Sequence, residues 1–190
     1  MVYRLFIDAA NACTLMLDDP DWGWFEFYEN FFCGAPLPQG WNPPRHIFGN
    51  KRKKLKDFMY GSNYVPFVSI KAKQVLESCA EGCVDFFYYG KIRGIQYFFM
   101  NVIRVEDCLD LNRSDISLLS DGQIGYISGY RFLEKKVPSD CLFKVPEFWF
   151  NIFATGSIIE CIKQNCLTGV GFDDPVSQNY ESIVEGLPIR

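Results

Sequence analysis

An internal repeat limits the fold more than any other feature of this chain. Residues 67–86 read FVSIKAKQVLESCAEGCVDF, and 86 positions later residues 153–172 read FATGSIIECIKQNCLTGVGF. Phe67 aligns with Phe153, Ser69 with Thr155, Leu76 with Ile162, and Val84 and Phe86 with Val170 and Phe172. Ser69 and Thr155 stand where a hydroxyl can accept from the free amides of a helix start. Ala72, Val75, Leu76 and Cys79 then recur at i, i+3, i+4 and i+7, which lines one helix face. Each copy therefore predicts a strand, a short helix and a second strand.

The repeat also bears on the cysteines, of which there are eight. They do not keep register between the copies: Cys79 falls opposite Asn165, Cys83 opposite Gly169, Cys161 opposite Val75 and Cys166 opposite Ala80. Cysteine is standing in for small apolar residues, as buried thiols do. The Cys79/Cys83 pair reads as packing, because neither residue has an evident neighbour to stabilise a thiolate. All eight are expected to be reduced thiols. Zinc would need four Cys or His ligands in paired clusters, whereas His46 is the only histidine. His46, in PPRHIF, is expected in a loop, and its solitude removes the Ser/His and Cys/His constellations of nucleophilic catalysis. No metal or cofactor is expected.

The surrounding sequence favours sheet. Aromatic residues make up 17% of the chain, a composition suited to strands. Alternating stretches are VYRLFI, WGWFEFYENFF, LKDFMY, VDFFYY, GIQYFFMNVIRVEDC, IGYISGYRFLE and CLFKV. Residues 33–50 hold four prolines and three glycines, enough to forbid a long helix or a central strand. The expected fold is α+β: a mixed, mainly antiparallel sheet carrying two short helices from the duplicated unit. Residues 1–60 are expected to add strands to that fold, residues 61–175 to form its body, and residues 176–190 to be a tail. The start of the sequence carries Arg4 and Asp8 inside its apolar stretch, and no window approaches the roughly 18 apolar residues of a membrane helix. A cytoplasmic protein with no membrane contact is expected.

Charge is unevenly spread. Residues 1–44 carry a net −5, residues 45–57 a net +5 and the remainder a net −4. The basic run KRKKLK, from Lys51 to Lys56, could meet phosphate, but in an acidic chain it reads as a solvated loop or strand edge, so direct nucleic-acid binding is not expected. Asp107 and Asp110, in VEDCLDLNRSD, read as a turn with self-capping carboxylates rather than a catalytic dyad.

Five pieces occur in order along residues 64–174: Val-Ser-x-Lys-Ala at Val68 to Ala72, Asn-Val at Asn101, Cys-Leu-Asp at Cys108 to Asp110 with Ser114, Leu-Phe at Leu142 and Phe143, and Leu-Thr-Gly-Val-x-Phe at Leu167 to Phe172. In this order they resemble a bacterial immunity-protein family found beside polymorphic toxins. The second helix opens with ATGS where the family pattern more often resembles Val-Ser-Glu. The resemblance implies a contact antitoxin, not an enzyme, that binds one cognate toxin domain. The stretch LDDPDWGWFEFYEN, with Asp18, Asp19, Asp21, Glu26 and Glu29 around Trp22 and Trp24, offers aromatic anchors ringed by carboxylates for a basic partner such as a nuclease. The structural alternative makes both tryptophans core residues. Trp41 is a further candidate contact. The rival reading is a small cytosolic enzyme with its pocket between the two repeated units.

Overall fold

The computed structural model describes residues 1–8, 13–18, 33–41, 44–48, 54–61, 65–175 and 180–181. In chain order the elements are β1 (Val2–Ile7), β2 (Leu15–Leu17), β3 (His46–Phe48), β4 (Phe58–Tyr60), β5 (Pro66–Ser69), α1 (Ile70–Cys79), β6 (Val84–Ile92), β7 (Ile95–Val102), β8 (Asp115–Leu118), β9 (Ile124–Gly129), a 3-10 turn (Glu134–Lys136), β10 (Leu142–Phe143), β11 (Ile152–Thr155), α2 (Gly156–Gln164), β12 (Val170–Asp173) and β13 (Tyr180–Glu181). The fold is α+β, with its named strand pairs antiparallel.

Both copies of the repeat are strand, helix, strand, and both are split in the same way. In the first, β7 lies between β5 and β6, giving the order β4-β5-β7-β6. In the second, β1 lies between β11 and β12, giving β10-β11-β1-β12-β13. The inserted strand runs antiparallel to both neighbours in each case. The centre of the first unit is thus its own next strand, whereas the centre of the second is supplied by residues 2–7.

The helices follow the sequence pattern. Ser69 caps α1, its Oγ accepting from the Ala72 amide at 3.2 Å. Ala72 and Leu76 are buried, with Val75 and Cys79 packed partly against the same core. On α2 the buried stripe is Ile158, Ile159 and Ile162. Thr155 occupies the cap position but makes no side-chain capping bond. Its hydroxyl instead accepts from the Cys141 amide at 3.1 Å, so a cross-strand demand outcompetes the helix start.

Two apolar clusters result. The larger joins both helices to one another and to both sheets, through residues such as Leu5, Val68, Met100, Phe143 and Phe172. The smaller gathers Phe67, Tyr97, Phe99, Leu15 and Met59, with Trp41 and Phe87 against it. Phe67 and Phe153, the first residues of the two repeats, are each fully buried in an aromatic nest. Phe67 sits 4.1 Å from Phe99 and 5.1 Å from Tyr89 by ring centroids. Phe153 sits 4.9 Å from Tyr130 and 5.2 Å from Phe132.

Several sequence expectations are corrected. His46 is not a loop residue: it lies in β3, buried, its Nδ1 donating to the Pro44 carbonyl at 2.8 Å and its ring packed edge-on against Phe67. An aromatic neighbourhood accepts a flat ring whose polar edge has a carbonyl partner. The long strand expected to run to Cys108 starts at Ile95 and stops at Val102, six residues short, because the chain turns toward β10 to pair Val105 with Lys144. The cysteines are not all thiols: Cys83 and Cys141, both buried, are joined in a disulfide with their Cα atoms 6.1 Å apart. A pair 58 residues apart in sequence leaves no spacing signal. The stretch WGWFEFYENFF and Lys51–Lys53 lie outside the described residues.

Candidate functional site

Exposed large apolar side chains concentrate in one part of the fold. Leu111, Leu118, Leu119 and Tyr126 are each about half exposed or more, with Leu118 at 63%. All four belong to the hairpin formed by β8 and β9 or to the turn that leads into it. Five carboxylates, Glu106, Asp107, Asp110, Asp115 and Asp121, accompany them between residues 105 and 126, against a single cation, Arg113. Exposed apolar side chains among carboxylates are the chemistry of a protein-binding face.

An isolated two-stranded hairpin is marginal in water, so this one depends on its root. Leu109 bridges Phe132, and the Leu133 amide donates to the Cys108 carbonyl at 2.8 Å. The Asp110 carbonyl accepts from the Ser114 amide at 2.9 Å, while the Ser114 Oγ accepts from the Arg131 amide at 3.0 Å. The turn at Asp110 is thus built by its backbone carbonyl, and Asp107 carries an ion pair with Lys136 at 2.8 Å; neither carboxylate caps the turn as expected. Ile127 and Tyr130 are fully buried at the base, where the Asn151 amide donates to the Tyr130 hydroxyl at 2.6 Å. Burial pushes the Tyr130 hydroxyl up to about 12 and the Cys108 thiol likewise up to about 12, so both stay protonated as parts of the framework. At the tip, the Leu119 amide donates to the Gln123 carbonyl at 2.8 Å and Gly122 takes φ +83°. A rigid base and an apolar, acidic tip follow from these residues.

A second feature lies where the two sheets meet. A cleft of about 200 Å³ opens between β1, β4, β5 and the start of β11, lined by Arg4, Ile7, Tyr60, Pro66, Phe150 and Asn151 among others. Arg4 closes one wall through a forked pair with Asp173, a fully buried carboxylate, at 3.1 Å from Nε and 2.5 Å from Nη2. Asn151 is engaged by Tyr130. With its guanidinium and its amide both serving the framework, the recess presents mainly apolar walls.

The remaining shared pieces of the sequence tie the two repeats together. The Asp57 carboxylate accepts from the Ser69 hydroxyl at 2.8 Å on one oxygen, and from the Thr168 amide and hydroxyl at 3.0 and 2.9 Å on the other. The Ser of Val-Ser-x-Lys-Ala is therefore latched to the Thr of Leu-Thr-Gly-Val-x-Phe. Gly169, at φ +84°, lets the Phe58 carbonyl approach so closely that a Cβ would stand 2.2 Å from its oxygen. These pieces, and the Cys-Leu-Asp run that roots the hairpin, form the frame of the protein.

That frame is matched at the level of a family. Residues 15–177 match the model of the Imm11 immunity protein family. The chain belongs to it. The match begins well before the resemblance read at residues 64–174 and takes in β2, β3 and β4. No curated protein matches the chain at a significant level.

For an Imm11 protein the functional surface is the one that meets a toxin. Of the residues expected there from sequence, Asp18 and Trp41 are described. Asp18 follows β2 and pairs with Arg45 at 2.9 Å, both side chains well exposed. Trp41 is half buried and packs edge-on against Phe87 and Phe99, with centroids 5.5 and 5.7 Å apart. Asp19, Asp21, Trp22, Trp24, Glu26 and Glu29 lie outside the described residues. The hairpin face is not among the surfaces expected from sequence, although VEDCLDLNRSDISLL carries its signal: a run of leucines interleaved with carboxylates beyond any helical or strand period. Among the described residues there is no group of three or more His, Cys, Asp or Glu side chains placed to hold a metal ion, and no helix is long and apolar enough to cross a membrane.

Proposed function

We propose that this Imm11 protein binds one cognate toxin domain and neutralises it by direct contact in the cytoplasm, without chemistry of its own. The observation that carries the reading is the β8/β9 hairpin, whose exposed leucines and Tyr126 alternate along the chain with carboxylates and stand on a root fixed by Cys108, Leu109 and Ser114. Apolar anchors would supply most of the affinity, and the carboxylates would steer a basic partner such as a nuclease domain onto them. The acidic-aromatic stretch from Asp18 to Glu29 has the same chemistry and is proposed as a second part of the contact.

The test is growth rescue of bacteria that express the toxin domain encoded beside this gene, followed by pull-down of the pair. Rescue with a stable complex is expected. Leu118→Asp combined with Tyr126→Ala is expected to weaken the complex by at least about a hundredfold, as loss of two anchors does. Because both side chains are exposed, unfolding should be nearly unchanged. Rescue without a complex would refute contact neutralisation and point to an activity that reverses the damage.

A further inference from the structure

The longest strand among the described residues is also a sheet edge. β6 is nine residues long and ends the order β4-β5-β7-β6. Its inner side is fully used by β7, from Val84 opposite Val102 to Ile92 opposite Ile95. No strand among the described residues lies along its outer side. The far edge of the same sheet is closed, since the Phe58 amide of β4 donates to the Thr168 carbonyl at 2.9 Å. The five-stranded sheet ends in strands of two residues each, β10 and β13. A long open edge is a row of unpaired amides and carbonyls, which other strands can use as a template.

Such edges are usually blunted by bulges and lysines. Here both devices lie in the second half of the strand, as a bulge between Tyr88 and Gly90 and as Lys91. The first half, Val84 to Tyr88, keeps regular register with β7. It carries aromatic side chains on both faces: Phe86 with the helix side, where Lys73 Nζ sits 5.6 Å over its ring, and Phe87 with the smaller cluster. Tyr88 is 50% exposed.

Charge along this edge is polar from end to end. Glu81 and Asp85 mark its beginning, Lys91 and Arg93 its end. A copy of the same strand laid antiparallel would set each acidic end beside its partner's basic end, whereas a parallel copy would set like against like. Two-fold symmetry near Tyr88 satisfies this pattern twice with one surface: each regular first half crosses the partner's bulge, and the lysine that deters an unrelated strand there meets Asp85. We propose that the protein self-associates through β6, joining two four-stranded sheets into one continuous sheet across an antiparallel β6–β6 seam. The seam is thin and belongs to the weak, reversible class of interface. It uses a different sheet from the β8/β9 hairpin and does not depend on that hairpin's role.

Sedimentation velocity over a concentration series of the full chain tests this directly. A monomer–dimer equilibrium with Kd on the order of 100 µM is expected, weakening as salt is added. Each end-to-end contact occurs twice across the two-fold, so Asp85→Lys and Lys91→Asp should each weaken association by about tenfold. The double variant D85K/K91D should recover it, a rescue that mere damage to β6 would not produce; circular dichroism checks that each variant is folded. A wild-type chain that stays monomeric at all concentrations overturns the proposal. So does a dimer indifferent to the single reversals, or one that the double variant fails to restore. Amide protection of β6 appearing only when the toxin domain is added to a monomeric chain would assign the edge to the toxin and overturn self-pairing.

Discussion

Replacing Asp57 with Ala should unfasten the two repeated units from one another. The carboxylate accepts three hydrogen bonds, from the Ser69 hydroxyl at 2.8 Å and from the Thr168 amide and hydroxyl at 3.0 and 2.9 Å. A hydrogen bond to an ionised group contributes roughly 1.5–3 kcal/mol, but bonds that share one side chain are not additive. The site is only partly buried, so water can re-satisfy some of the abandoned donors. A loss of about 3–5 kcal/mol follows, a large share of the roughly 5–15 kcal/mol that stabilises a domain. For a chain of this size, melting should fall by roughly 6–20 °C. Asp57→Asn retains one carbonyl oxygen as an acceptor but turns an N–H toward donors, and should cost about half as much. Urea unfolding of the three proteins is the assay. A loss below about 1 kcal/mol for Ala with an unchanged m-value, or an Asn variant as damaging as Ala, would refute the latch.

Gly169→Ala forces a side chain into φ +84° and a Cβ to 2.2 Å from the Phe58 oxygen, so it should destabilise by more than about 3 kcal/mol in the same assay. Lys144 is almost fully buried, and desolvation lowers its ammonium to about 7. Between that value and its ordinary range the unfolded chain holds a proton that the folded chain lacks, so stability rises with pH by up to about 1.4 kcal/mol per unit; below about pH 7 the full cost is present. Lys144→Met should therefore stabilise most at pH 7 and below, with a smaller gain at pH 9, read from melting at each pH. Alkylation of the unfolded, unreduced chain should label six of the eight cysteines, and Cys141→Ser should cost about 4 kcal/mol by removing a 58-residue cross-link.

What could be read from the sequence was whatever has a period. The doubled motif located α1 and α2 to within a few residues, because a capping hydroxyl followed by an apolar stripe at 3.6 spacing has few alternative conformations. Ser69 caps as expected and Thr155 does not, since the competing Cys141 amide lies just before β10, whose pairing with β11 no local pattern gives. The split of each unit by a third strand was not legible either: the pairing of β1 with β11 and β12 is set by contacts more than 140 residues apart. The same reason hid the Cys83–Cys141 bond and the aromatic nest around His46. At the candidate surface, the exposure of Leu118 and Leu119 depends on how far the hairpin stands off its root, which is a tertiary property.

The insertion of β1 between β11 and β12 has a consequence for synthesis. The first unit is contiguous, so β5, α1, β6 and β7 can collapse together as they leave the ribosome. The second unit is missing its middle strand until residues 2–7 return across the finished first unit. Closing so long a loop is a slow, late event in a high-contact-order fold. Until it closes, β11 and β12 each present a bare apolar edge. The chain is most exposed to aggregation and to proteolysis at that moment, when every residue has been made and one strand is still out of place.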